Sequence, residues 1–249
     1  YTRKLLYDKT INAFKENYSD VKTGEYLSRM LELLRNAKDL FHYLINSLFP
    51  NFIATSFTVI YLLLNTDNIG YVLISSMIVM SIVLYTLGNM ISTMVIEREN
   101  YMNEDVNQGI QNSIDNLMNI YINNESGNEI NKNGNMEDIA GKKMTEIMFW
   151  QNIAITTCDT IILSAYGTSI YFIYNMLKER KIKSSVAIVY ILMLGQFLSY
   201  GMDLISGYVH NFVYKSGIIT AAEPFLKEII NDNNTRVKKS GIEKGDIEF

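Results

Sequence analysis

Residues 70–96 read Gly70-Tyr71-Val72-Leu73-Ile74-Ser75-Ser76-Met77-Ile78-Val79-Met80, continuing through Ser81-Ile82-Val83-Leu84-Tyr85-Thr86-Leu87-Gly88 to Ile96, without one charged residue. About 20 such residues suffice for a helix to cross a hydrocarbon core. Three other stretches match it or come within one acid of it. Residues 45–64 are uncharged, residues 151–177 carry one acid, Asp159, and residues 186–204 carry Asp203 at their end. The 48% hydrophobic content and the net charge of −4 average over these runs and hide them, so each run is read by itself. The reading is an all-α polytopic membrane bundle, with spans at about 45–64, 70–96, 152–177 and 186–205.

The connections divide into two kinds. Asn65–Asn68 and Lys178–Ser184 are short polar turns. Elsewhere the apolar runs continue into long helical patterns. Leu27, Met30, Leu31, Leu34, Ala37 and Phe41 form a stripe that runs straight into the first span. Met136–Trp150 leads into the third, and the fourth continues helically to about Ile230. Pro50 lies inside the first span, where neighbouring helices can re-satisfy the carbonyl it frees. Ser126–Gly134, rich in Gly, Asn, Glu and Lys, reads as a loop or a locally insert-prone tip. Glu97, Glu99, Glu104 and Asp105 read as a solvated helix face. Residues 231–245 read as a linker. Lys and Arg number 8 in residues 1–44, 4 in 97–151 and 6 in 206–249, against none in 65–69 and 4 in 178–184. This bias places the long extensions in the cytoplasm.

Composition narrows the chemistry. No Lys/Arg cluster marks a nucleic-acid surface. The single cysteine, Cys158, excludes an internal disulfide and a cysteine-based zinc site. His42 and His210 have no ligand spacing around them, so no metal site is expected. No phosphate loop of the form G-x-x-x-x-G-K-[ST] occurs, so the chain does not itself cradle ATP. No acid/base pair or nucleophile constellation is present, and no catalytic residue is assigned.

A polar turn, Asn17-Tyr18-Ser19-Asp20-Val21-Lys22-Thr23-Gly24-Glu25-Tyr26-Leu27-Ser28-Arg29, joins two long helical patterns. It resembles the first cytoplasmic coupling turn of exporter-type ABC transporters, F-F-[DE]-x-x-x-[TS]-G-[DE]-[LI]-x-[SN]-R. Tyr18 falls on the second aromatic, and Ser19 replaces the acid. Ser113-Ile114-Asp115-Asn116-Leu117-Met118-Asn119-Ile120 is similar to that family's second coupling segment, S-L-x-G-I-x-T-I-K, with Asn116 for the glycine and Tyr121 for the lysine. Lys183–Tyr190 resembles the opening of the last membrane helix. Ala221–Leu226 resembles its close, with Pro224 for a basic residue, and Gly245-Asp246-Ile247-Glu248-Phe249 resembles the first strand of the nucleotide-binding domain.

The resemblance implies that residues 1–230 are an ABC exporter-type transmembrane domain lacking its first two spans. Residues 231–249 would be a linker and the first strand of a nucleotide-binding domain that follows in the same polypeptide. ATP and Mg would be bound there, and no cofactor is expected in this chain. A second, identical or different half would complete the pathway, in a lipid bilayer, for a cargo the sequence does not name. Coupling residues on this reading are Tyr18, Ser19, Asp20, Lys22, Asn116, Met118 and Asn119. Pathway candidates are Asp159, Gln196 and Asp203, each also readable as an interfacial acid or an interhelical hydrogen bond. Tyr171, Tyr174 and Tyr190 read as packing residues or as an aromatic belt at the outer surface. The alternatives are a non-enzymatic four-span scaffold or channel, and a soluble helical bundle.

Overall fold

A computed structural model describes residues 23–224 and Lys227, with side chains from residue 31 onward. Residues 1–22, which hold most of the turn expected to act in coupling, and residues 225, 226 and 228–249 lie outside the described residues.

Four helical rods make up the described chain, and no strand occurs among the described residues. The first rod joins α1 (Thr23–Tyr43) to α2 (Phe49–Asn65) through a π-helical turn, Leu44–Leu48. The second joins α3 (Asp67–Tyr101) to α4 (Gln108–Asp115) through Met102–Asn107, also π-helical. A short helix, α5 (Leu117–Ile122), turns the chain. The third rod is one unbroken helix, α6 (Ser126–Lys178). The fourth joins α7 (Ser184–Gly207) to α8 (Tyr214–Ala221) through the π-helical turn Tyr208–Val213.

Pro50 explains the first π turn. A proline inside a helix loses one hydrogen bond and crowds the carbonyl four residues back. Here it stands in the first two positions of α2, directly after the widened turn, so the turn absorbs the misfit. The third π turn lies beside the first. Tyr43 lays its ring on Gly207, where a Cβ would come within 2.7 Å of the ring and 2.8 Å of its hydroxyl.

The connections end in matched geometry. Asn124 and Arg180 take positive φ of 55° and 58°. In each case the next residue donates to the carbonyl five residues back, Glu125 to Ile120 and Lys181 to Met176, both at 2.9 Å. The left-handed residue itself donates to Tyr121 or Leu177. This is the Schellman closure of a helix C-terminus. One expectation is overturned here. Ser126–Gly134 is not a loop but the first turns of α6. Ser113 fastens it there, donating to Glu129 Oε2 at 2.9 Å and accepting from Asn133 Nδ2 at 3.1 Å.

With 53 residues, α6 is about 80 Å long, well over the ~30 Å of a bilayer core. All four rods contribute to one core, through Leu62, Leu73, Cys158, Ile162, Leu194 and Phe197 among others. A second core further along, built on Ile91, Val95, Ile147, Val209 and Val213, belongs to the second, third and fourth rods. Gly217 brings α8 against α3, where a Cβ would lie 2.9 Å from Val95 and 3.2 Å from the Ser92 carbonyl. Lys215 reaches Asp39 at 3.4 Å, tying α8 to α1.

The rods are long and apolar enough to cross a membrane, and other helices bury only 22–28% of the most apolar window of each. A soluble bundle of this size would hide such surface. Phe49, Phe52, Ile53, Phe57, Ile60 and Leu64 line the outside of the first rod, with the partly exposed Ser56 among them. Replacing Gly217 with Val forces Val95 and the Ser92 backbone apart. The variant is expected to lose about 1–3 kcal/mol of stability, read as a lower melting temperature in detergent or nanodiscs. An unchanged melting temperature would contradict the close packing of α3 and α8.

Candidate functional site

The outward faces of the rods differ in chemistry. On the second rod, Ile74, Met77, Ile78, Ile82 and Tyr85, with Ser81 as the polar member, form a mostly apolar groove, suited to acyl chains. On α6 the face turned away from the core reads Asn152, Thr156, Thr157, Thr160, Ser164, Gly167 and Thr168, all exposed, with Leu163 among them. Steps of three and four residues keep this set along one side of a helix. Its hydroxyls bond back along the chain, Thr160 to the Thr156 carbonyl at 2.7 Å, Ser164 to Thr160 at 2.7 Å and Thr168 to Ser164 at 2.8 Å. Such bonds satisfy the hydroxyl protons and leave oxygen lone pairs facing outward.

The three pathway candidates separate in this frame. Gln196 and Asp203 are both exposed on α7. Asp159 is half-buried on α6, and its Oδ1 is enclosed without a hydrogen-bond partner. The sequence reading picked out the two acids and one amide but missed the hydroxyl face. Its signal was available, since Asn152, Thr156, Thr160, Ser164 and Thr168 recur at every fourth position.

Nearer the extensions, α6 and the last rod flank an open recess of about 390 Å³ between Met144, Met148, Gln151, Asn152, His210 and Tyr214. His210 stands on the π turn, and the Tyr214 hydroxyl approaches Met144 Sδ at 3.8 Å. Among the described residues no charged side chain lines this recess. Among the described residues no group of three or more His, Cys, Asp or Glu side chains could hold a metal ion.

At the far end of the second and third rods, Asn116 breaks the helix between α4 and α5, with φ −102° and ψ 16°. Its side chain donates to the Asn112 carbonyl at 2.9 Å. This break presents Ile114, Leu117, Met118, Tyr121 and Ile122 together as exposed apolar side chains, with Met118 76% exposed. Asn119 is exposed beside them. Tyr18, Ser19, Asp20 and Lys22, assigned to the first coupling turn, lie outside the described residues.

Of the two readings of Tyr190, packing agrees with its place in the four-rod core, while Tyr171 and Tyr174 are exposed. One other expectation is corrected. Glu99 is not on a solvated face. It is 6% exposed, in contact with Arg98 and facing a small crevice with Glu32, Asn103 and Ile218. Loss of water raises its carboxyl above the usual carboxylate range, the Glu32 charge adds to this, and Arg98 opposes it. The chain matches no protein-family model and no curated protein.

The Glu99 shift has a definite sign in stability. A carboxyl raised on folding binds its proton more tightly in the folded state. Its contribution is therefore full below the ordinary carboxylate range and is lost as pH rises through the raised folded value. Glu99→Gln removes this slope. Its melting temperature is expected to change less than the parent's between about pH 4 and about pH 8. Parallel curves would show that Glu99 titrates as it does unfolded.

Proposed function

We propose that this chain is the transmembrane part of an ATP-driven exporter of the ABC type. It would be a multi-pass membrane protein that forms half of a translocation pathway. The observation that carries the reading is the hydroxyl face of α6. A face this polar is costly against acyl chains in the middle of an otherwise apolar helix, and it is satisfied where it meets water or another polar helix. The second rod, with its apolar groove, meets the lipid.

The long extensions fit the same reading. One half cannot enclose a pathway, so a second half faces the α6 surface. The exposed apolar tip at Asn116, Met118 and Asn119, and the turn at Tyr18, Ser19, Asp20 and Lys22, press on nucleotide-binding domains in the cytoplasm. Closure of those domains on ATP then moves the tips, and rigid helices about 40 Å long carry the movement to the spans. The Ser113 bonds to Glu129 and Asn133 stiffen the joint through which that force passes. Bound ATP and Mg supply the free energy in the nucleotide-binding domain; this chain supplies the lever and the walls. Nothing in the hydroxyl face by itself selects a cargo.

Two experiments test this reading. In a Cys158→Ala background, Thr160→Cys and Ser164→Cys are expected to react with a charged, membrane-impermeant thiol reagent, while Phe57→Cys and Ile82→Cys are not. Equal reaction at all four positions, or at none, would contradict a polar pathway along α6. For the tips, Met118→Asp in the protein reconstituted with its nucleotide-binding domain is expected to cut cargo-stimulated ATP hydrolysis by about tenfold, roughly 1.4 kcal/mol of coupling, while ATP binding persists. Unchanged stimulation would remove the tip from the coupling path.

A further inference from the structure

The end of the bundle away from the extensions is unevenly charged. Of the two turns there, residues 65–69 hold no Lys or Arg and one acid, Asp67. Residues 178–184 hold Lys178, Arg180, Lys181 and Lys183 against one acid, Glu179. No Lys or Arg occurs in residues 39–97, 144–177 or 185–214, so among the described residues this turn carries the basic charge of that end. The count over the whole chain places this end outside, and these four residues run against that bias, so orientation does not account for them.

The turn is held at both ends. Lys181 and Arg180 donate back to the Met176 and Leu177 carbonyls, and the Lys183 carbonyl accepts from Val186 and Ala187 at 3.0 and 3.1 Å. Between them Ile182 packs on the four-rod core. Around this fixed backbone all four basic side chains are exposed. Lys181 Nζ lies 2.6 Å from Glu179 Oε2 and, by donating to it, holds that carboxyl below the usual carboxylate range. Glu179 thus stays charged and offsets one of the four cations.

Next to the turn the α6 surface becomes aromatic. Tyr171, Tyr174 and Lys178 follow at steps of three and four, which keeps them on one side of the helix, and all three are exposed. Tyrosine rings settle at the headgroup level of a bilayer, and a lysine one turn further out reaches the phosphates. Leu177 on α6 and Ile188 and Val189 at the start of α7 are exposed apolar residues beside the charges, a surface for acyl chains. A soluble anion would use only the cations, whereas a lipid uses both.

We infer that the turn at 178–184, together with Tyr171 and Tyr174, binds the headgroups of anionic phospholipids in the leaflet it borders. The inference requires that the rods cross a membrane and takes nothing else from the exporter reading.

The test sets a tryptophan beside the turn. Tyr174→Trp in a Trp150→Phe background is placed in phosphatidylcholine nanodiscs holding equal minor shares of either dibrominated phosphatidylglycerol or dibrominated phosphatidylcholine, whose bromines quench a nearby indole. The anionic lipid is expected to quench at least about threefold more efficiently. Replacing Lys178, Arg180, Lys181 and Lys183 with Gln together is expected to bring the two lipids level. Exchanging chloride for inorganic phosphate at equal ionic strength is expected to leave the preference in place. In the protein without substitutions, spin-labelled phosphatidylglycerol is expected to show a larger immobilised fraction than spin-labelled phosphatidylcholine. Equal quenching, equal immobilised fractions, or an unchanged preference in the Gln variant would each overturn the inference, and loss of the preference in phosphate would assign the turn to a free anion instead. Quenching by neither lipid would take this end out of the bilayer and remove the membrane reading along with the inference.

Discussion

The four rods are long and apolar enough to cross a membrane, and in a bilayer core, where water is missing, every polar group needs a partner within the protein. For the backbone the answer is the helix, since each N–H finds a carbonyl on its own rod. For the side chains the answer is mostly local. Thr55, Thr58, Ser76 and Ser169 all donate to carbonyls three or four residues earlier. Where no local answer exists, the group is informative. Asp159 has no such partner, and the α6 hydroxyls use up their protons while their oxygens still face outward.

The same constraint accounts for the interruptions. Three of the four rods widen into a π-helical turn. The first precedes Pro50. The third carries His210 and abuts the first through Tyr43 and Gly207. The second follows Glu99 and Arg98. These turns fall where the uncharged runs pass into the extensions, so the rods change pitch where their surroundings change. A lever of the proposed kind needs stiff arms with defined joints, and α6, the one rod without a π turn, joins the tip to the hydroxyl face as a single helix.

Much of this architecture was legible in the sequence. Near-absence of charge over about 20 residues is a one-dimensional signal that needs no knowledge of neighbours, and it picked out the four helices that are long and apolar enough to cross a membrane. What depends on neighbours was not legible. Glu99 sits among Glu97, Glu104 and Asp105, and only the approach of α1 and α8 removes it from water. Ser126–Gly134 has loop composition, yet Ser113 holds it as helix from the far side of the turn. Tyr190 has the amphipathic chemistry of a belt residue, but its position on α7 turns it to the core. The recess combines residues of two rods about sixty positions apart, and no spacing rule links Asn152 to His210.

The central claim is that α6 turns a water-lined face toward a pathway while the second rod meets lipid. A spin-label scan over residues 152–171 in nanodiscs, read by collision with a water-soluble nickel chelate and with oxygen, tests it most directly. The account predicts chelate contact that rises and falls with helical period, peaking at Thr156, Thr160, Ser164 and Gly167, while a scan of residues 74–85 shows oxygen contact alone. Oxygen contact without chelate contact along the whole of α6 would contradict it.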